Sequence, residues 1–207
     1  LLCEVELEKH VMTVRLLNSF GATGGYRKTT FAAGFSVNLI RGTDMLDVWE
    51  SHSSCRFDFT PDQLTEQVLH KVRLAERSAG VPTGQLPVIL TPKGAAGTLL
   101  EALDSGFNGK LVLEGAPPVG DKLGQRAFSE RLTLYDDGLV EDGPGSAPFD
   151  DEGVATRRTT LIDAGVVNAF LYDLNTAARA AAQTTGNANR GLASLPAPAA
   201  RPMAGRN

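Results

Sequence analysis

Cysteine is scarce: the 207 residues hold two, Cys3 and Cys55, far apart and in no CxxC arrangement. A disulfide framework is therefore not expected, and a reducing compartment, the cytoplasm, fits better. Histidine is nearly as rare, with three residues. His10 and His70 have no soft ligand nearby, and His52 and Cys55 have each other but no second pair to close a tetrahedral metal site. All three histidines read as polar surface residues. Long apolar runs are also missing: Leu86 to Leu90 and Val166 to Tyr172 fall far short of the roughly 20 residues that span a bilayer. Nor is there an excess of basic charge. The formal net charge is -4, which provides no general attraction to nucleic acid or anionic lipid. No GxSxG marks a nucleophilic serine, no GxGxxG or GK[ST] marks a phosphate loop, and no EF-hand spacing is present. The chain has neither an initiator Met nor a signal-peptide pattern. It opens in a strand-like segment and closes in a Pro/Ala-rich run, Leu195 to Met203, so both ends read as truncations.

What is present suits a globular protein, with 42% hydrophobic and 21% charged residues, enough for one large core or two small ones. Val5 to Asn18, Thr29 to Ile40 and Met45 to Ser51 are rich in β-branched or aromatic residues. Turns at Gly21-Ala-Thr-Gly-Gly25 and Arg41-Gly-Thr-Asp44 separate them, which predicts an antiparallel meander. Thr60-Pro-Asp-Gln63 supplies an N-cap, a first-turn proline and a capping-box Gln, with Leu64, Val68, Val72 and Ala75 on one helical face. The stretch Gly80 to Pro87 is the candidate boundary, giving domains 1–84 and 85–207. Beyond it the sequence predicts a short buried strand at Val88 to Leu90 and a helix over Pro92 to Asp104, capped by Thr91. A strand near Arg131 to Tyr135 follows, then a long exposed acidic loop from Asp136 to Gly153. Thr156 to Ile162 and Val166 to Tyr172 flank Asp163-Ala-Gly165 as a hairpin. A helix over Asn175 to Ala182 is broken by Thr184 to Arg190. The fold class read from this order is α+β.

Two clusters invite chemical readings. Gly94-Ala-Ala-Gly97 lacks the context of a phosphate cradle and reads as close helix packing. Asp136-Asp137, Glu141-Asp142 and Asp150-Asp151-Glu152 could ligate calcium, but a solvated loop is the simpler reading.

Gly145-Ser-Ala-Pro-Phe-Asp-Asp-Glu-Gly-Val-Ala-Thr-Arg-Arg158, then Leu161-Ile-Asp-Ala-Gly165, Phe170-Leu-Tyr-Asp173 and Thr185-Gly-Asn187, resemble in order and spacing the TldD/PmbA family, historically labelled modulators of DNA gyrase. The likeness is densest over Val88 to Arg190. It implies a longer bacterial protein with an amino-terminal α/β domain, here reduced to the meander and its helix, and a β-rich carboxy-terminal domain that is also incomplete. The family has two branches that pair, and the TldD-like branch carries an HExxxH zinc motif on a helix. Aligned on Thr98-Leu-Leu-Glu-Ala-Leu-Asp-Ser-Gly106, that motif places Leu100 and Ser105 at the His positions and leaves Glu101 at the Glu. Leucine cannot ligate zinc, a serine hydroxyl is a poor ligand, and a glutamate without metal-bound water has nothing to deprotonate. The resemblance is thus to the PmbA/TldE-like branch: no metal or cofactor in this chain, and zinc in a TldD-like partner.

On this resemblance the chain is expected to be the non-catalytic subunit of a heterodimeric metalloprotease acting on unfolded peptides, in peptide maturation or antitoxin degradation. The alternative is a non-proteolytic binding module that regulates gyrase or another protein by contact. No direct nucleic-acid or membrane binding is expected. Asp150, Asp151, Glu152, Arg157 and Arg158 could form a salt-bridged turn, order a loop over a cleft, or contact the partner. Thr185, Gly186 and Asn187 could offer backbone donors to a peptide strand, or cap a helix.

Overall fold

The computed structural model describes residues 2–76 and 79–189. Among them, those within 1–12 and 27–90 cluster as one compact unit, and those within 13–26 and 91–189 as a second. The Pro/Ala-rich run Leu195 to Met203 lies outside the described residues.

Strands β1 (Leu2–Leu17), β2 (Thr23–Arg41) and β3 (Asp44–Ser54) form one sheet in the order β1-β2-β3. β2 and β3 pair antiparallel from Phe31↔Ser54 to Arg41↔Asp44. The predicted meander is present, with longer strands, because the first turn is tighter than its glycine content suggests. The Asn18 carboxamide oxygen accepts the N–H groups of Phe20 and Ala22, each at 3.0 Å. That local Asx bonding closes the turn early and releases Thr23 to Gly25 into the strand. Helix α1 (Pro61–Leu74) begins as its sequence dictates: Gln63 Oε1 accepts the Thr60 N–H at 3.2 Å, and Pro61 fills the first turn. Its Leu64 and Val68 are buried, Val68 against Val37 and Val48 of the sheet with Val72 at the margin. Burying each such side chain contributes roughly 1.5–3 kcal/mol.

The second unit opens on a composite helix made of α2 (Pro92–Gly94), a π-helical segment (Ala95–Leu100) and α3 (Glu101–Phe107), followed by α4 (Gly109–Leu113). Strands β4 (Leu134–Asp137), β5 (Arg158–Asp163) and β6 (Val166–Val167) form an antiparallel sheet in that order. Helix α5 (Leu174–Ala180) follows. Phe107, Leu161, Ile162, Val167, Phe170 and Leu171 make the core, so the molecule is α+β with antiparallel sheets. Among the described residues no helix is long and apolar enough to cross a membrane.

Three expectations need correction. Val88 to Leu90 is neither a strand nor buried: Ile89 is 96% exposed. Pro87 and Pro92 flank the run and lack the N–H that a ladder requires. The hairpin is shorter on its second arm, because Asn168 and Ala169 turn back to the carbonyl of Leu161. Its turn places both Ala164 (φ 44°) and Gly165 (φ 83°) in the left-handed region. The predicted close packing of Gly94 to Gly97 is also absent. A side chain at Gly97 would meet nothing within 4 Å, and one at Gly94 only the hydroxyl of its own cap, Thr91.

The end of α5 gives a direct test of backbone strain. Ala181 sits in the left-handed conformation (φ 50°, ψ 37°), the position where helices favour glycine. Ala181→Gly is expected to stabilise the protein by about 0.5–1 kcal/mol, read as a higher Tm in thermal melts. An unchanged or lower Tm would remove the strain argument.

Candidate functional site

The composite helix is built by local chemistry. Thr91 Oγ1 accepts the Gly94 N–H at 3.1 Å, and Thr98 Oγ1 donates to the Gly94 carbonyl at 2.6 Å within the π-helical turn. From Glu101 to Phe107 the winding is α-helical. Leu100 is half-buried, whereas Glu101 and Ser105 are exposed. Burial raises the carboxyl pKa of Asp104, between them. A zinc site needs about three protein ligands. This helix offers one carboxylate, one hydroxyl and a leucine at the relevant positions, and that donor set does not fit the metal.

All three histidines lie in the first unit. His52 Nε2 is 2.9 Å from Asp58 Oδ1, and Ser54 Oγ donates to Asp58 Oδ2 at 3.2 Å. The carboxylate stands between hydroxyl and imidazole, which is not the order of a nucleophile–base–acid relay. The hydrogen bond from His52 holds the Asp58 pKa below the usual carboxylate range. His10 Nε2 lies 2.9 Å from Glu8, whose pKa it lowers, while the hydrogen bond that Glu6 shares with the accepting Glu8 raises the Glu6 pKa. Among the described residues, no group of three or more His, Cys, Asp or Glu side chains is placed to hold a metal ion.

The acidic stretch differs from its prediction. Far from being a uniformly exposed loop, it begins in β4 and is pinned at its far end. Asp136 and Asp150 are buried. Asp150 Oδ1 accepts the N–H groups of Glu152 (3.0 Å) and Val154 (2.9 Å), and its Oδ2 accepts that of Ala188 (3.0 Å). Asp151 N–H donates to the Ala188 carbonyl at 3.1 Å, and Glu152 Oε2 accepts the Leu174 N–H at 2.8 Å. A carboxylate so occupied by backbone donors is a turn organiser, not a calcium ligand.

Arg157 and Arg158, adjacent in sequence, do different things. Arg157 donates to the carbonyls of Thr184 and Thr185, whereas the Arg158 guanidinium lies 3.5 Å from the centroid of the Tyr135 ring. Thr185 bonds the Tyr172 backbone three times: its N–H and its hydroxyl donate to the Tyr172 carbonyl at 2.9 and 3.1 Å, and its hydroxyl accepts the Tyr172 N–H at 2.9 Å. The Thr185 N–H is thus already taken within the chain. Asn187 Nδ2 donates to Asp136 Oδ2 in a buried pair, and among the described residues its Oδ1 has no partner. A Cβ on Gly186 would sit 2.5 Å from the Ala155 carbonyl oxygen, so Gly186 is required for close approach and not as a helix cap. Helix α5 already ends at Ala180, with Ala181 as its C-cap.

These contacts join the family-like segments to the end of the composite helix. Leu171 N–H donates to Phe107 O at 2.9 Å, and Gly109 N–H donates to Leu171 O at 2.8 Å. Burial raises the Tyr172 pKa. Sequence reasoning overlooked Gly109 and did not foresee the partners of Asp136 and Tyr172, which lie far away in the chain. The one local signal was Asn108-Gly109, where Asn108 Oδ1 caps α4 by accepting the Lys110 and Leu111 N–H groups. A Cβ at Gly109 would fall 2.3 Å from the Tyr172 ring and 2.4 Å from Leu171 O. Gly109→Ala is therefore expected to cost about 1–3 kcal/mol by overpacking, while Gly97→Ala should be neutral or mildly stabilising. Paired denaturant unfolding curves check both, and equal midpoints for the two variants would contradict the packing.

Comparison with known proteins places this arrangement. Residues 83–204 match the model of the PmbA/TldA metallopeptidase C-terminal domain. MJ0231 of Methanocaldococcus jannaschii, an uncharacterized protein, is 31% identical over 192 residues, covering 92% of this chain and 44% of that relative. Metalloprotease MJ0996 of the same organism is 39% identical over 106 residues, 51% of this chain and 24% of its own. Among solved structures, TldE from Thermococcus kodakarensis superposes with a TM-score of 0.77 at 25% identity, covering 92% of this chain and 42% of that one. A Thermotoga maritima protein gives a TM-score of 0.80 at 22% identity, covering 90% of this chain and 44% of that one, a likeness of fold. The chain spans less than half the length of these relatives.

Proposed function

The chain belongs to the PmbA/TldD metallopeptidase family, and we propose that it serves there as a non-catalytic subunit, paired with a zinc-bearing TldD-like paralogue that cleaves unfolded peptides. The observation that carries this reading is the donor set of the composite helix, Leu100, Glu101 and Ser105, in a chain similar to proteins named metalloproteases. A subunit without ligands for the metal contributes by contact: it shapes the space the peptide enters and presents a surface to its paralogue. Cysteine usage, two residues far apart in the sequence and in no CxxC arrangement, favours the cytoplasm as its compartment.

The test is co-purification of the full-length protein with its host's HExxxH paralogue, followed by zinc analysis and a peptide-cleavage assay. The subunit alone is expected to hold far less than one zinc per chain, and the pair about one per heterodimer, because a catalytic zinc needs about three protein ligands. About one tightly bound zinc in the isolated subunit, lost on Glu101→Ala, would overturn the reading. Stable pairing with no gain in cleavage would instead favour a role in binding without proteolysis.

A further inference from the structure

We draw no further inference here: the strongest candidate, the acidic cleft on the first sheet between Glu4, Glu6 and Glu8 of β1 and Trp49 of β3, is a row of carboxylates over small residues, and nothing in the structure shows what covers it.

Discussion

Glu101→Gln is expected to leave peptide cleavage by the reconstituted pair within about twofold of wild type, whereas the same change at the Glu of the partner's HExxxH should lower it by about two to four orders of magnitude, the usual contribution of general acid–base catalysis. The contrast follows from what surrounds each carboxylate. A glutamate acts as a base in such a site because a metal ion acidifies the water beside it. Around Glu101 the positions that would hold the metal are Leu100 and Ser105, a side chain that cannot ligate zinc and a hydroxyl that is a poor ligand. Glu101 is also exposed, so conversion to the neutral amide should cost little stability. Single-turnover rates of the two mutant pairs, measured at equal zinc occupancy, decide the matter. A loss from Glu101→Gln comparable to that of the partner mutation would mean that this helix takes part in the chemistry.

How far the sequence revealed the fold depended on the range of the interactions involved. The start of α1 was legible because Thr60, Pro61 and Gln63 act on one another within a single turn. The three-strand meander was legible because β-branched and aromatic richness and turn residues are also local. Val88 to Leu90 misled because a short apolar run does not reveal whether a partner strand exists, and the flanking prolines argued against one. The acidic stretch misled for the opposite reason. Composition predicts solvent for Asp136 and Asp150, yet both are buried with partners remote in the chain, Asn187 for the first and Ala188 for the second. The π-helical turn at Ala95–Leu100 left no mark on the apolar periodicity. At the candidate site, residue identity sufficed to argue against zinc, whereas the joining of Arg157, Thr185, Tyr172 and Gly109 required coordinates.

Asp150→Ala is expected to be among the most destabilising single changes in the second unit, costing about 3 kcal/mol or more. The Asp150 side chain accepts three backbone N–H groups, from Glu152, Val154 and Ala188, and is only 8% exposed. Each buried donor left without an acceptor costs about 1–3 kcal/mol. Water can reach the partly buried Glu152 and Val154 amides more readily than the buried amide of Ala188, so the full sum is not expected. Asp150→Asn separates hydrogen bonding from shape. Its carbonyl can still serve Glu152 and Val154, but its NH2 group then faces the Ala188 N–H, donor against donor. Stability should therefore fall in the order wild type, Asn, Ala, with a drop in Tm on the order of 10 °C for the Ala variant. If Asp150 works as this internal organiser, the fraction of Asp150→Ala that remains folded at low temperature should still bind the zinc-bearing paralogue with wild-type affinity. Thermal melts and partner titrations on the same preparations distinguish the outcomes. A variant that melts like wild type but fails to pair would move Asp150 from the fold to the interface, and equal stability of the Asn and Ala variants would contradict the three-donor geometry.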